Sequence, residues 1–368
     1  MKKNILLLLI STGMVLAICE VAIRWVLPQI NDHDVMFQFD EALGWEFIPN
    51  KKGSIVYDGG INHTIQINQE GYRDTSFEDK TNDTKIMVLG DSFVSNISVE
   101  DDEVFTHLIE NQLENTSVYN LGVNGYGQVQ EYLVLKEWIP KIQPDVIVVM
   151  VYLRNDFTDN MSESSWLYPR PAVVFDTDIP VRIIPPSKEY KTKEKLPFYY
   201  RSHLYRLVKN SITAIKSKNE KDANASYAPP EVHTCRNPLT EETLTMYETM
   251  QRLLIEMDAY GKSVNTPVIF ALAPSMVQIE DDLWSQVEEY DPSVNYKKDM
   301  PNATLYAFAK ANQLQLIDLM PALQEADRNG TKMYNRQEQH WTAAGNQVVA
   351  DVLSEYLQQY MMRVKDSL

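Results

Sequence analysis

The sequence contains little cysteine and no cluster of residues that would bind zinc. Its two cysteines are Cys19 and Cys235. Because Cys19 lies within an apolar N-terminal run, the pair does not form a disulfide framework of the kind that stabilises small secreted domains. The sequence also lacks a Cys-x-x-Cys pair and any His/Cys group at metal-ligand spacing. We therefore expect no bound metal.

Positive charge is also scarce. The 368 residues include 34 Lys and Arg against 51 Asp and Glu, which gives a formal net charge of −17. Such a surface repels the phosphates of nucleic acids, so we expect no DNA or RNA partner. No internal repeat is visible. A hydrophobic content of 44% is nevertheless enough for one sizeable core with an insertion.

The N-terminus carries a long hydrophobic run. Lys2 and Lys3 precede the apolar residues 5–19, and the apolar character continues past Glu20. Lysines before a hydrophobic segment tend to stay in the cytoplasm, which sends the rest of the chain outward. No A-x-A cleavage site is present. We therefore predict an uncleaved signal anchor over residues 1–28 and an extracytoplasmic location, periplasmic or on the cell surface; a cleaved signal is the alternative.

Beyond the anchor, apolar runs alternate with amphipathic segments. Five runs predict strands, at residues 85–90, 117–122, 145–152, 266–274 and 314–319. The segments between and after them predict helices, around residues 104–114, 128–139, 241–260, 302–312 and 343–361. This order predicts an α/β fold, namely a doubly wound (flavodoxin-like) parallel sheet of about five strands with helices on both faces.

Two segments fall outside this alternation. Residues 29–84 form a lead-in that contains "LGWEFIPN" and "IQINQEGYRD", for which we expect a small antiparallel flap. Residues 162–238 contain two proline pairs and a charged stretch, and we interpret them as an insertion over the top of the sheet, partly helical around 203–216. The main domain is expected to span residues 85–368, including this insertion.

Four polar loops lie where strands of the predicted sheet end. Residues 90–92 follow the first strand, residues 120–128 the second and residues 151–160 the third, while residues 338–346 lie beyond the fifth. Ligands of a doubly wound sheet bind at the carboxyl ends of its strands, so these loops predict one shared site. The tripeptide Gly-Asp-Ser at 90–92 alone fits either a turn cap or a nucleophile.

The order of these loops resembles the motif blocks of the SGNH hydrolases, also called the GDSL esterase/lipase superfamily. The first block, a strand followed by Gly-Asp-Ser, matches residues 90–92. The second block supplies a glycine, for which Gly125 is the best match and Gly122 the alternative. The resemblance covers residues 85–159 and 314–357. The anchor and the lead-in also look like a membrane-tethered bacterial branch of this superfamily.

The third block of the family, Gly-x-Asn-Asp, matches residues 153–156, with Leu153 in place of the glycine. The resemblance implies that Ser92 is the nucleophile and that His340 is the base that takes its proton. It further implies that the main-chain N–H groups of Ser92 and Gly125, with the side-chain amide of Asn155, form the oxyanion hole.

The third member of the implied triad is an acid shortly before the histidine. Glu338 lies two residues before His340, whereas Gln337, three before it, cannot carry a charge. We therefore expect Glu338 to orient the histidine. Asp318, at the end of the fifth predicted strand, is a second possible partner, and a dyad without a carboxylate is a third possibility.

Together these features predict a membrane-anchored serine esterase that needs no cofactor. The expected substrate is an ester at the cell envelope. An O-acetylated polysaccharide is the first choice, because the resemblance includes carbohydrate esterases and alginate O-acetylation accessory proteins. Two alternatives stay open. One is a polysaccharide O-acetyltransferase that uses the same acyl-enzyme, and the other is a non-catalytic envelope protein that kept the fold, as Leu153 and Gln337 would suggest.

Overall fold

A computed structural model describes residues 2–26, 36–56, 62–165, 168–175, 182–187, 202–220, 232–336 and 338–366. Its strands are β1 Phe37–Asp40, β2 Gly44–Phe47, β3 Lys52–Val56, β4 Asn62–Gln66, β5 Thr84–Gly90, β6 Thr116–Gly122, β7 Val146–Tyr152, β8 Ala172–Val174, β9 Arg182–Ile184, β10 Arg236–Asn237, β11 Val268–Ala273, β12 Asn295–Tyr296 and β13 Gln315–Asp318. Its α-helices are α1 Lys2–Val26, α2 Ser92–Ser95, α3 Phe105–Gln112, α4 Gln128–Ile142, α5 Asn155–Asp159, α6 His203–Glu220, α7 Glu241–Ser263, α8 Met276–Ile279, α9 Asp281–Tyr290, α10 Met300–Asn312, α11 Met320–Arg328 and α12 Ala343–Asp366.

Five parallel strands form the central sheet, in the order β13–β11–β7–β5–β6. If these five strands are numbered 1 to 5 along the chain and read from β6 to β13, the order is 2-1-3-4-5, which is that of the flavodoxin-like doubly wound fold. Each strand agrees with its sequence-based prediction to within two residues at either end. The predicted α/β fold class is therefore confirmed.

The two faces of the sheet are covered by different helices. Side chains alternate between the faces along a strand, so Met87 and Leu89 of β5 pack in one apolar cluster while Ile86 and Val88 pack in the other. Helices α4 and α7 contribute to the first cluster, and α3 and α12 contribute to the second. All seven residues of β7 are buried, as expected for a strand covered on both faces.

The chain diverges at the carboxyl ends of β5 and β7, which are adjacent in the sheet. After β5 it continues into α3, on one face, and after β7 it continues into α5 and α7, on the other. Such a divergence opens a crevice at the strand ends, where doubly wound proteins bind their ligands. The loops that carry Ser92 and Asn155 line this crevice.

The lead-in contains two antiparallel hairpins, β1–β2 and β3–β4. Its side chains Trp45 and Ile65 are buried in the same cluster as α4. The guanidinium of Arg73 is also buried, and it donates to the main-chain oxygens of Ser95 at 3.1 Å and Val99 at 2.7 Å. The lead-in is thus packed against the turn that carries Ser92. The boundaries proposed for the anchor, the lead-in and the main domain stay predictions.

One helix in the described part of the chain is long and apolar enough to cross a membrane, namely α1 from Asn4 to Val26. A cleaved signal sequence would meet the same criterion, so the helix agrees with the anchor prediction without deciding on cleavage. Within the predicted insertion, the described residues include the hairpin β8–β9 and the helix α6.

Candidate active site

Ser92 is the first residue of the short helix α2, directly after β5. Asp91 caps this helix, because its Oδ1 accepts the N–H of Phe93 at 2.8 Å. A Cβ atom on Gly90 would lie 2.4 Å from Val94 Cγ2, so only glycine lets α2 fold back so closely over the strand end. The local sequence thus presents the Ser92 hydroxyl at the end of the sheet, as the family resemblance implies.

His340 reaches Ser92 from the loop before α12. Its Nε2 lies 2.8 Å from Ser92 Oγ, within hydrogen-bond distance. The loop is held by two main-chain bonds, from Asn335 N–H to His340 O at 2.9 Å and from Gln339 N–H to Asn335 O at 2.7 Å. Gln339 adopts φ 62°, a left-handed conformation that a side chain disfavours. Such backbone strain occurs where surrounding contacts impose it, often at functional sites.

The candidate acids lie in different surroundings. Glu338 lines the same cavity as Ser92 and His340, and its Oε1 lies 3.5 Å from Asn335 Nδ2. Asp318 is not among the residues that line this cavity. Its Oδ1 accepts Asn302 Nδ2 at 2.7 Å and Met320 N–H at 3.0 Å, at the start of α11.

Burial raises the pKa of Asp318 above its ordinary value, and the hydrogen bonds from Met320 and Asn302 oppose this shift. These contacts indicate a structural role for Asp318, which connects the end of β13 to the start of α11. Gln337, the other position considered for the acid, lies outside the described residues.

The two candidate glycines have different environments. Gly122 ends β6, and a Cβ there would lie 2.5 Å from Ser95 N, so this glycine allows the close packing of α2. Gly125 lines the cavity and adopts φ 78°, a conformation that glycine takes without strain. Gly125 is therefore the glycine that the structure brings beside Ser92.

Asn155 begins α5 and also lines the cavity. Its Nδ2 donates to Asp159 Oδ2 at 2.8 Å. Asp159 Oδ1 in turn pairs with Arg170 Nη2 at 2.9 Å. Burial raises the pKa of Asp159, while the neighbouring Arg170 opposes the rise. The amide of Asn155 is thus oriented by an ion pair at the rim of the site.

The cavity that these residues share has a volume of about 380 Å³. Most of its lining residues carry a polar or charged side chain, and the rings of Phe93 and Tyr152 also line it. The lining residues are Ser92, Phe93, Asn124, Gly125, Tyr152, Arg154, Asn155, Asp159, Arg170, Glu338, Gln339 and His340. Within the described residues, no group of three or more His, Cys, Asp or Glu side chains is arranged to hold a metal ion.

Leu153, which replaces the glycine of the third block, does not line this cavity. Its N–H donates to Ala273 O at 2.9 Å, and its side chain is buried in the apolar cluster beneath the sheet. The substitution therefore leaves the space beside Ser92 open. The next residue, Arg154, does line the cavity, and its guanidinium donates to the side-chain oxygen of Gln339 across it.

Three buried carboxyl groups lie below the site. Burial raises the pKa of Asp91 to about 6, and the N–H of Phe93 opposes the rise. Burial also raises the pKa values of Glu131 and Asp156 well above their ordinary values, and repulsion from Asp91 adds to both shifts. Asp156 accepts Gln128 Nε2 at 2.6 Å and Tyr152 N–H at 2.7 Å. Burial thus favours the protonated form of each of these three carboxyl groups.

Sequence reasoning missed several residues of the cavity. Arg170 lies in the predicted insertion, within "YPRPA", where no local pattern indicates a site residue. Gln339 lies between Glu338 and His340 and carries no chemical signal of its own. Arg154 lies within the third block, directly before Asn155, and only this position in the sequence could have indicated that it lines the cavity.

Comparisons with known proteins agree with the expected family. Residues 239–366 match a family model described as an SGNH hydrolase-like domain of the acetyltransferase AlgX. The matched segment includes His340, but it begins at residue 239 and so does not include Ser92. A search of curated proteins finds no match.

Several solved structures are similar to this chain at low identity. A lipolytic protein of the G-D-S-L family from Veillonella parvula is 16% identical, with 73% of this chain and 94% of that chain covered and a TM-score of 0.37. The esterase EstA from a Pseudoalteromonas species is 8% identical, with 76% and 99% covered and a TM-score of 0.39. An acetyl xylan esterase is 13% identical, with 74% and 98% covered and a TM-score of 0.38. At these values the likenesses carry no argument about activity.

The expected membership of the SGNH superfamily therefore rests on the family match and on the sheet and motif order described above. The matched model also agrees with the expected relation to alginate O-acetylation proteins. The family prediction is confirmed by residues 239–366, which are similar to the SGNH hydrolase-like domain of AlgX.

Proposed function

We propose that the protein is a serine esterase that removes O-acyl groups, acetyl in particular, from a carbohydrate at the cell envelope. The observation that carries the proposal is the distance of 2.8 Å between Ser92 Oγ and His340 Nε2. A serine hydroxyl is a weak nucleophile until an adjacent base takes its proton, and this contact supplies that base. Gly125 and Asn155 line the same cavity, where donors to an oxyanion are needed.

The proposed reaction begins when Ser92 Oγ attacks the ester carbonyl and its proton passes to His340 Nε2. The carbonyl oxygen then carries a negative charge, which the N–H groups of Ser92 and Gly125 and the Asn155 amide stabilise. Collapse of this intermediate breaks the ester bond, and the sugar hydroxyl leaves with the proton from His340. Water, activated by the same histidine, attacks the acyl-enzyme and releases the carboxylic acid and Ser92.

The size of the cavity and the residues that line it support a substrate with a short acyl group attached to a sugar. A volume of about 380 Å³ lies at the small end of the range for ligand sites. Most of the lining residues carry a polar or charged side chain, and such side chains can bind the hydroxyl groups of a sugar. A helix that could anchor the chain in a membrane, α1, is consistent with a substrate at the envelope and with an extracytoplasmic location.

A fluorophosphonate probe tests the proposal, because it labels only a serine with an activated hydroxyl. We expect the purified protein to be labelled at Ser92, located by peptide mass spectrometry, and to hydrolyse p-nitrophenyl acetate. Ser92→Ala should lose both properties while its melting temperature stays nearly unchanged, since the hydroxyl contributes little packing. A wild-type protein that is neither labelled nor active would favour a non-catalytic envelope protein.

A second candidate function is O-acetyl transfer to a polysaccharide. The observation that favours it is the family match, since the matching model is described as an acetyltransferase. Transfer would use the same acyl-enzyme, with a sugar hydroxyl replacing water as the acceptor. We would distinguish the two by adding a glycan acceptor to the esterase assay. A transferase would release less free acetate and yield an acetylated glycan, whereas an esterase would give unchanged products.

A further inference from the structure

The "LGW" stretch of the lead-in contacts the loop that carries Gly125. Trp45 lies on β2 and is fully buried. Its indole Nε1 donates to the main-chain oxygen of Asn124 at 2.9 Å. The hydroxyl of Tyr126 donates in the other direction, to the main-chain oxygen of Trp45. The β1–β2 hairpin therefore binds the loop on both sides of Gly125.

The bond from Trp45 fixes the direction of one specific N–H group. The carbonyl of Asn124 and the N–H of Gly125 belong to the same peptide unit, which is planar and trans, so the two groups point in opposite directions. When Trp45 holds the Asn124 oxygen, it therefore also sets where the N–H of Gly125 points. This N–H is the group that the proposed reaction needs as an oxyanion donor.

Arg170 holds the next peptide unit. Its Nη1 donates to the oxygen of Gly125 at 2.7 Å, so both peptide units that flank the Gly125 Cα are fixed. Glycine at φ 78° has no side chain to restrict it, and external bonds of this kind supply the missing restraint. The guanidinium of Arg170 also lies over the Trp45 ring, 5.3 Å from its centroid.

The same guanidinium reaches the second oxyanion donor. Arg170 Nη2 pairs with Asp159 Oδ1 at 2.9 Å, and Asp159 Oδ2 accepts the Asn155 amide at 2.8 Å. Arg170 is 5% exposed, so solvent weakens this ion pair little. The guanidinium of Arg170 is planar and rigid, so its Nη1 and Nη2 atoms form a fork that holds Gly125 O and Asp159 Oδ1 at a fixed separation. It therefore couples the position of Gly125 to the orientation of Asn155.

We propose that Trp45 and Arg170 are positioning residues that together preorganise the oxyanion hole, with the β1–β2 hairpin as its brace. The inference rests on the proposed esterase function and adds to it a role for the lead-in and for the insertion. Donors stabilise a transition state only where they are fixed in advance. A displacement of about 1 Å in a site of this kind can lower the rate about a hundredfold.

Two variants and one matched control test this brace. Trp45→Phe removes the indole N–H and keeps an aromatic ring, and Arg170→Gln removes the fork. The control is Phe47→Leu, which changes another buried aromatic residue of β2 that stacks on Phe37 at a centroid distance of 4.6 Å. We expect kcat for p-nitrophenyl acetate to fall about tenfold or more in Trp45→Phe and Arg170→Gln, with KM nearly unchanged.

Further readouts distinguish positioning from general damage. Affinity for a boronic acid, which forms a tetrahedral adduct with the serine, should fall in parallel with kcat. The pH at which activity drops on the acid side should not move, because neither residue contacts the histidine in the proposed chemistry. Arg170→Lys, which retains charge but not the fork, should recover only part of the loss. Equal losses in Phe47→Leu, or a loss confined to KM, would overturn the proposal.

Hydrogen exchange separates a failed brace from a failed esterase assignment. If the wild-type protein is not labelled by the fluorophosphonate, the esterase proposal fails. The brace still predicts faster amide exchange over residues 121–127 in Trp45→Phe and Arg170→Gln than in wild type, with Phe47→Leu unchanged. Unchanged exchange in both variants would show that these residues do not hold the loop.

Discussion

The side-chain amide of Asn155 has two roles: it donates to Asp159, and in the proposed reaction it also donates to the oxyanion. Its Nδ2 donates to Asp159, which orients the side chain, and the proposed reaction needs a donor from the same nitrogen. An amide nitrogen carries two N–H groups, so one bond can orient the side chain while the other meets the charge that develops on the substrate. Because that charge exists mainly in the transition state, the interaction should affect turnover more than binding.

We therefore expect Asn155→Ala to lower kcat about a hundredfold or more, with a smaller change in KM. The matched control is Thr158→Ala on the same helix, which removes a hydroxyl that donates to the main-chain oxygen of Asn155 at 2.8 Å. Steady-state kinetics on both variants, with melting temperatures, provide the measurement. A rise in KM alone for Asn155→Ala would assign this residue to substrate binding instead.

Two carboxyl groups, those of Glu338 and Asp318, are candidates for the acid that orients His340. Glu338 lies on the loop of His340 and lines the cavity, whereas Asp318 is bonded to Asn302 and to the start of α11. We expect Glu338→Gln to lower turnover strongly, because an amide does not stabilise the imidazolium and can hold the wrong tautomer. Asp318→Asn should mainly lower the melting temperature, and Gln337→Ala should have little effect.

All three variants need assays of both turnover and folding. A fully active Glu338→Gln protein beside a folded but inactive Asp318→Asn protein would move the acid to the end of β13. Full activity in both would favour a dyad of Ser92 and His340, since loss of an acid need not abolish activity while the base and the donors remain.

The sequence predicted the site residues that belong to short motifs, and it missed those that reach the site through tertiary structure. Ser92 and Asn155 stand at the ends of apolar strands, a pattern visible in one dimension. Trp45 and Arg170 lie 79 and 45 residues from the loop atoms they bind. A hydrogen bond across such a separation leaves no periodic trace, so no pattern of the sequence indicated it.

Among the elements, the five strands of the central sheet and most of the helices that cover it were predictable. A buried strand such as β7 is a continuous apolar run, which has few other interpretations. The helix α8 has four residues and is too short to show a helical period, and the sequence analysis predicted neither it nor the amphipathic α9 that follows. The lead-in hairpins were expected as a flap, but their contacts with the site depend on packing that the sequence does not display.

Helix α1 is hydrogen-bonded to the start of α6. Glu20 of α1 accepts Ser202 Oγ at 2.8 Å and the N–H groups of His203 at 3.0 Å and Leu204 at 2.9 Å. These bonds satisfy main-chain donors at the start of α6, where a helix has unpaired N–H groups. The anchor segment thus contributes a cap to a helix of the predicted insertion.

Deletion of residues 2–28 should release the protein into the soluble fraction with its esterase activity intact, because every proposed catalytic residue lies beyond residue 85. Membrane fractionation and the p-nitrophenyl acetate assay measure both parts. The control is full-length Glu20→Ala, which removes the cap but keeps the hydrophobic run and should stay in the membrane fraction. If the deleted protein still sediments with membranes, a second attachment surface exists, and α6 is the first segment to examine.

For the whole molecule, the buried carboxyl groups link stability to pH. Glu131 lies on α4 and is 1% exposed, so its carboxyl group is shielded from water. Burial and the neighbouring Asp91 raise its pKa well above the ordinary value of 4.5. The sequence suggested none of this, because a glutamate in an amphipathic helix is expected to face solvent.

The sign of the effect follows from which state holds the proton. Above pH 4.5 the unfolded chain releases the proton of Glu131, whereas the folded protein retains it up to its higher pKa. Over that window the folded state binds more protons than the unfolded state, so the free energy of unfolding falls as the pH rises. The loss amounts to at most about 1.4 kcal/mol per pH unit for one group. Asp91, with a pKa of about 6, acts in the same direction over a narrower window.

We therefore expect Glu131→Gln to be more stable than wild type at pH 7.5 and nearly equal to it at pH 4, because glutamine resembles the protonated carboxyl group and does not titrate. Urea unfolding at several pH values measures the difference. The control is Glu137→Gln, on the same helix but exposed and paired with Lys141 at 2.6 Å, which should follow the wild-type pH dependence. If Glu131→Gln runs parallel to wild type across this range, Glu131 is ionised in the folded protein, and the buried cluster does not hold its proton at neutral pH.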